Sequence, residues 1–595
     1  MSDMFHKKYD IRSFRAGEDY MAYTWLGGQV VNSVTAVFRT YAPEARHVAL
    51  ICEANGWQEI PMMGLGDGVW ETTLTPVHVG SMYKYRIYRK DGRVTDHADP
   101  LAFAGERPPR NASILWKRGH FPFRDKEWMA KRGSLWQGPV NIYEMHAGSW
   151  RRRSGRAGDG YSYTELADKL IPYLEKQGYN FVEFLPLAEH PLDGSWGYQG
   201  TGYFCPTARY GLPDQWKSLI NRLHMHGIGV IMDFVPVHFA VDAYGLAMYD
   251  GTRLFEKPGR SDWGSRYFDH GKGVTRSFLL SAAHYWLSEF HVDAIRVDAV
   301  NYLLYQNGRQ EQGENAEGIR FLRQLNAMVK AQFPEVRMIA EDPTTYAGCT
   351  RPVSEGGLGF DEKWNLGWSY DSLHWLAESF GDRVRDYGKM TFSMDYFYHE
   401  RHLLALSHDE TGRNRSAMLE KPYGTQAQKY DQIRAFYLHM YAHPGKKLTF
   451  MGNELGQLTP WKVGQQLNWN LHRWPKTRVF RRFTHDLNMV YRYHPALFER
   501  DDRQDGFAWI ERYRAADGVI AFLRMAEHEQ VLAVLNYSDR PQAQSFDGWG
   551  SNWEVLLDTA WDIYGGKKSA QDRWQPGDRE IRLDACSGVM LRREL

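Results

Sequence analysis

Between about residues 30 and 100 apolar and polar positions alternate with a period of two, in TAVFRTYAP, HVALICE, GVWETTL and YKYRIYR, with glycines and prolines between the runs. That period puts one face of each strand into a core and the other into water, and predicts a small antiparallel β-sandwich. From Pro139 the rhythm changes. VNIYEMH, NFVEFLPL, GVIMDFVPVHF, DAIRVDAV, VRMIAED, LLALSHDE and KLTFMGNE are short, nearly continuous apolar runs separated by helical stretches. Strands buried on both faces and alternating with helices predict parallel βαβ units. Seven or eight such units in about 350 residues fit a (β/α)8 barrel with insertions. A doubly wound open sheet is the alternative, but no glycine-rich phosphate loop follows the first strand. Beyond residue 495 FAWIERY, GVIAFLRM, QVLAVLNY and WEVLLDT return to the strand-and-turn style and predict a C-terminal β-sandwich. The expected division is a tail at 1–25, a sandwich at 26–115, a linker at 116–138, the barrel at 139–495 and the second sandwich at 496–595.

A length of 595 residues agrees with about three domains. Lysine and arginine number 73 and aspartate and glutamate 72. That balance gives no reason to expect nucleic acid or an anionic membrane as partner. The opening MSDMFHKKYD lacks the apolar core of a secretory leader, and no stretch approaches the roughly 18 apolar residues of a membrane span. Cys52, Cys205, Cys349 and Cys586 are scattered, without metal-ligand or disulfide-framework spacing. A cytoplasmic protein is expected, with a monomer as the default. The 22 tryptophans change this picture, because their flat apolar faces suit sugar rings, although most are expected in cores. Trp57 and Trp70 are candidate stacking residues in the first sandwich.

In a parallel barrel, side chains at the carboxyl ends of the strands converge on one mouth. Here those ends are acidic. Asp233 lies in VIMDFVPVH with His238 beyond it, Arg296 and Asp298 end AIRVDAV, Glu341 ends VRMIAE, and Asp409 follows His408 in LALSHDE. Arg296 and Asp298, two residues apart, face the same side of their strand. An arginine beside a carboxylate lowers its pKa, which predicts an ionised Asp298. Glu341 has no cation beside it in sequence, so a less polar setting would let it hold a proton. One ionised and one protonated carboxyl are the ingredients of glycoside cleavage, with retention when they stand roughly 5–5.5 Å apart. Each motif alone is weak, since R-x-D on a strand is more often a structural ion pair. Their joint order along the strand ends carries the signal.

Those four motifs in that order resemble the α-amylase superfamily, and the chain is similar over nearly its whole length to bacterial glycogen (1,4-α-glucan) branching enzymes. YEMHAGSW, ELADKLIPYLEKQGYNFVEFLPLAEHPLDGSWGYQGTGYF, GGLGFDEKWNLGW and HPGKKLTFMGNELGQ carry the likeness, and the N-terminal stretch resembles a starch-binding-type sandwich. The resemblance implies that Asp298 is the nucleophile, Glu341 the general acid/base and Asp409 a third carboxylate on the sugar hydroxyls. It implies that Tyr198, Asp233, His238, Arg296 and His408 line the cleavage subsite. The substrate implied is an α-glucan polymer, with no redox cofactor and no metal. Two stretches depart from the family: AEDP, with Asp342 and Pro343, where AEES is usual, and HDETGRNRSAM where HDEVVHGK is usual. Both lie beside the mouth, on loops able to shape acceptor binding. An α-glucan hydrolase using the same carboxylates, or a non-catalytic glycan-binding relative, are the other readings.

Overall fold

The computed structural model describes residues 10–156, 158–412, 415–514, 517–545, 552–570 and 580–595. The first nine residues of the expected tail, and Arg413 and Asn414 of the HDETGRNRSAM stretch, lie outside them.

Eight parallel strands close into a barrel: β1 (Asn141–Met145), β2 (Phe181–Phe184), β3 (Gly229–Phe234), β4 (Ala294–Val297), β5 (Arg337–Ala340), β6 (Glu362–Trp364), β7 (His402–Leu406) and β8 (Lys446–Phe450), with β8 paired back to β1. Seven are the apolar runs named above. The eighth, β6, was not among them, because it is three residues long and two of those are charged. Alternation sorts each strand into an inward and an outward set. Ile142, Phe181, Ile231, Ala294, Ile339, Trp364, Leu403 and Leu448 form one buried layer across the barrel. Two residues further along, towards the carboxyl ends, the same inward rows reach Glu144, Glu183, Asp233, Arg296 and Glu341. The apolar layer is therefore the floor of the mouth.

Ahead of the barrel, two antiparallel sheets form the predicted sandwich, Met82–Arg89 burying Tyr83, Tyr85, Ile87 and Arg89 in strict alternation. Behind it, a five-stranded antiparallel sheet packs Leu535 and Met590 with Phe436 and Leu438 of the barrel helix Gln426–Ala442. The described part of the expected tail is docked. The helix Ile11–Ala16 and the turn after it run along the barrel helix Gly273–Phe290. Ser277 and Ser281, four residues apart and so on one face, accept hydrogen bonds from the backbone N–H groups of Asp19 (3.1 Å) and Ala22 (3.0 Å). A Cβ at Gly273 would stand 1.9 Å from the Arg15 carbonyl oxygen, so only glycine permits this approach.

A buried charge cluster fastens the linker. His224 bonds Asp125 (2.8 Å) and Asp293 (3.0 Å), His291 bonds Asp125 (2.9 Å), and Trp128 of the linker helix Lys126–Lys131 donates to Asp293 (2.9 Å). Burial pulls the His224 imidazole down, but Asp293 and Asp125 outweigh it and the net shift is upward. His224 thus contributes stability that is full below its unfolded pKa, about 6.5, and is lost as pH rises through its folded value. We expect His224→Ala to leave Asp125 with His291 alone and Asp293 with Trp128 and the Val230 N–H, and to cost about 3–5 kcal/mol as a broken buried pair. Thermal unfolding checks this, with the mutational loss shrinking at alkaline pH.

Candidate active site

The geometry centres on one guanidinium. Arg296 Nη1 donates to both oxygens of Asp233 (2.7 Å each) and to Asp298 Oδ1 (2.8 Å), and Nη2 stands 3.3 Å from Glu341 Oε2. The Trp364 ring lies 4.4 Å from the guanidinium carbon. Asp298 and Glu341, 43 positions apart in sequence, therefore share one cation on one side of the mouth. The backbone explains how. Adjacent β4 and β5 end together, with Glu341 N–H bonded to the Val297 carbonyl at 3.1 Å. The chain then turns at Ala299 with φ +49°, and the Ala299 N–H reaches Glu341 Oε2 at 2.6 Å. Left-handed backbone at a non-glycine residue costs about 1–3 kcal/mol, and here it aims a donor at Glu341.

A second chain of bonds supports the other wall. Glu144 accepts from the His408 N–H (2.8 Å) and its Nδ1–H (2.5 Å). His408 Nε2 meets the Tyr198 hydroxyl (3.2 Å), which donates to Asp233 Oδ2 (2.6 Å). Burial lowers the His408 pKa, yet Glu144 and Asp409 overcome it and push it up to about 10, so both ring nitrogens carry protons. Asp409 follows with an exposed carboxylate, 3.6 Å from His408 Nε2, open to anything that enters.

Electrostatics correct the simple expectation for Asp298. Burial raises its carboxyl, Arg296 draws it down, Asp233 and Asp409 raise it again, and it is pushed up to about 7. Desolvation exceeds the pull of the arginine next to it. Glu341, contrary to the picture of a residue without a cation, lies against the same Arg296. Burial first, then Asp298 and Asp409, still push it up to about 8. The order needed for an acid and a nucleophile survives, Glu341 holding its proton to higher pH.

The other predicted residues separate into two groups. Asp233 and Arg296, both nearly inaccessible, bond within the protein and position their neighbours. Tyr198 and His408 join them to the wall. His238 stands apart: its Nδ1 meets Ser265 Oγ (3.0 Å), its ring stacks on Trp263 at 4.6 Å, and burial lowers its pKa to about 4, leaving it neutral. No described hydrogen bond links it to the carboxylates, which leaves Nε2 open to a ligand hydroxyl. Asp342 does not face the mouth; it is buried against Lys363 Nζ at 2.8 Å. Of AEDP only Pro343 is exposed. In the first sandwich Trp57 is 40% exposed, whereas Trp70 packs against the core and donates to the Ala42 carbonyl.

Sequence reasoning passed over Glu144, Glu183, Trp364 and Ala299. Glu144 and Glu183 are lone acids inside apolar strands, the same signal that marks Asp233. They are paired across β1 and β2. Among the described residues neither Glu183 oxygen has a hydrogen-bond partner, and burial together with Glu144 raises its pKa well above the usual range, so it is a neutral acid.

Residues 26–102 match carbohydrate-binding module 48, the isoamylase N-terminal domain. The chain is 40% identical over 622 residues to the 1,4-alpha-glucan branching enzyme of Aquifex aeolicus, covering 98% of each. It is 39% identical over 611 residues to the 1,4-alpha-glucan branching enzyme of Nitratidesulfovibrio vulgaris, covering 96% of this chain and 95% of that one. Among solved structures, the pullulanase complexed with maltotetraose from Anoxybacillus sp. LM18-11 superposes with a TM-score of 0.73 at 15% identity, over 99% of this chain and 89% of that one. At that identity the likeness shows the fold.

Proposed function

Since this chain belongs to the 1,4-α-glucan branching enzymes, cleaving α-1,4-glucan and moving the cut chain to a 6-hydroxyl, we propose that Asp298, Glu341 and Asp409 carry its retaining double displacement. Glu341 gives its proton to the glycosidic oxygen while an Asp298 oxygen attacks the anomeric carbon; the C–O bond breaks and the released end leaves as an alcohol. Glu341, now a carboxylate, takes the proton of a 6-hydroxyl on an acceptor chain. That oxygen displaces Asp298 and the α-1,6 branch forms. The observation that carries this is the single Arg296 guanidinium gripping both carboxyls. Asp409, exposed at the rim, takes the sugar hydroxyls, and Tyr198, His238 and His408 line the same subsite, with Asp233 and Arg296 holding it from beneath. The reading includes an α-glucan polymer as substrate and a cytoplasmic setting, which four unpaired, buried cysteines support. Among the described residues no helix is long and apolar enough to cross a membrane. It also includes the division at 1–25, 26–115, 116–138, 139–495 and 496–595, supported by sheets that begin and end inside those bounds.

Incubation with amylose tests the function: branching lowers iodine colour without releasing reducing ends, and reducing ends released in step with cleavage would identify a hydrolase. The pH dependence follows from the two carboxyls. Because kcat/KM requires ionised Asp298 and protonated Glu341, it rises as pH climbs through about 7 and falls beyond about 8. As the two interact, the limbs belong to the pair. A narrow bell on the slightly alkaline side is expected, and a flat-topped profile centred in the acid range contradicts it.

A further inference from the structure

The barrel has a second polar chamber at its other end. There the first residues of β6 and β8, Glu362 and Lys446, belong to the inward rows that continue to Trp364 and Leu448, so the apolar layer separates them from the catalytic carboxylates. They border a cavity of about 200 Å³. Trp136 of the linker, Phe397 ahead of β7, and Phe498 and Asp501 from the chain leading into the C-terminal sheet close it. The volume is ample for more than one water molecule.

The groups lining this chamber are not satisfied by one another. Glu362 is 7% exposed, yet no described residue gives it a hydrogen bond or an ion pair. Among the described residues the Lys446 ammonium has only long contacts, 3.4 Å to the Gly138 carbonyl and 3.6 Å to Asp501 Oδ2. Asp501 itself is held by Arg524 at 2.7 Å. A buried carboxylate without a partner is costly, and burial pushes Glu362 up to about 7 despite Lys446, Arg401 and Arg337 nearby. The amino ends of barrel strands ordinarily serve stability. An orphan carboxylate facing a slack ammonium does not.

We propose that this chamber is a second ligand site, built for a neutral polyhydroxylated molecule of about one hexose. Hydroxyls would donate to Glu362 and accept from Lys446, with the C–H face against the partly exposed Phe498. Three basic and four acidic side chains line the cavity, and that mixture disfavours a strongly charged ligand. Because the lining comes from the linker, the barrel and the C-terminal region, occupancy ties the three together and registers as thermal stability.

The test uses the full chain with glucose as probe and inorganic phosphate as charged control. Glucose raises the Tm of the parent protein; in Glu362→Gln and Lys446→Met its apparent affinity falls about tenfold or more, while branching of amylose is unchanged. Without sugar, Glu362→Gln is as stable as the parent or more so. Equal glucose responses in parent and variants place the binding elsewhere and overturn the proposal, as does stabilisation by phosphate alone. Should the variants fail to fold, a crystal of the parent soaked in glucose decides: sugar in the chamber supports the site, and water or an adventitious additive only refutes it.

Discussion

Glu341→Gln and Asp298→Asn each lower branching activity by about 10³-fold or more while the protein stays folded. Both substitutions keep shape and remove an acid. In Glu341→Gln the amide oxygen still accepts from the Ala299 N–H, so the turn that positions it is undisturbed. Neither should reduce Tm, because each takes a buried carboxyl out of a cluster in which Asp409 raises both Asp298 and Glu341 and Asp298 raises Glu341 further. The two are distinguishable by leaving group. A glycosyl fluoride needs no protonation to depart, so Glu341→Gln releases fluoride and accumulates a covalent sugar on Asp298, visible by mass spectrometry. Asp298→Asn does neither. Near-parent turnover in either variant removes that residue from its role.

The second large effect is expected at Arg296. Replacing it by methionine leaves Asp233 buried without its cation and strips charge compensation from Asp298 and Glu341. Breaking a buried pair in this way costs about 3–5 kcal/mol. In the protein that remains, both proposed catalytic carboxyls lose their largest downward influence, so the acid limb of the pH profile moves to higher pH and neutral activity collapses. Arg296→Lys restores a charge but not a fork that reaches three carboxyls at once, and an intermediate loss is expected. Unfolding followed by tryptophan fluorescence, with pH–rate profiles of the lysine variant, checks both parts. An unshifted acid limb would show that Asp298 is governed by something else.

How far these features could be read from residues alone varied with their range. The seven apolar strands and both sandwiches were legible because burial on one or two faces imprints directly on sequence. β6 was not. Its Glu-Lys-Trp has no apolar run, and only closure of the barrel makes it a strand. Asp298, Glu341 and Asp409 were visible as acids ending apolar segments. Their protonation was not, since Arg296 is two residues from Asp298 in sequence but equally a neighbour of Glu341 in space, and the depth of burial decides the outcome. The same limit explains Asp342. Beside Glu341 in sequence it looked like part of the mouth, but on an alternating strand end it points the other way, to Lys363. Glu144 and Glu183 could have been found by extending the lone-acid rule to the first two strands.

The apolar floor under the carboxylates shuts off the other end of the barrel, so the described residues leave the proposed catalytic chamber an opening at the carboxyl ends of the strands. Donor chain, departing fragment, acceptor and water must all come and go by it, in turn. A fragment trailing a long polymer backs out slowly, and until it has done so the incoming chain cannot reach the sugar parked on the enzyme. We expect traffic at the threshold, more than the making of the new bond, to set the pace on long glucans, so that trimming the donor quickens each cycle.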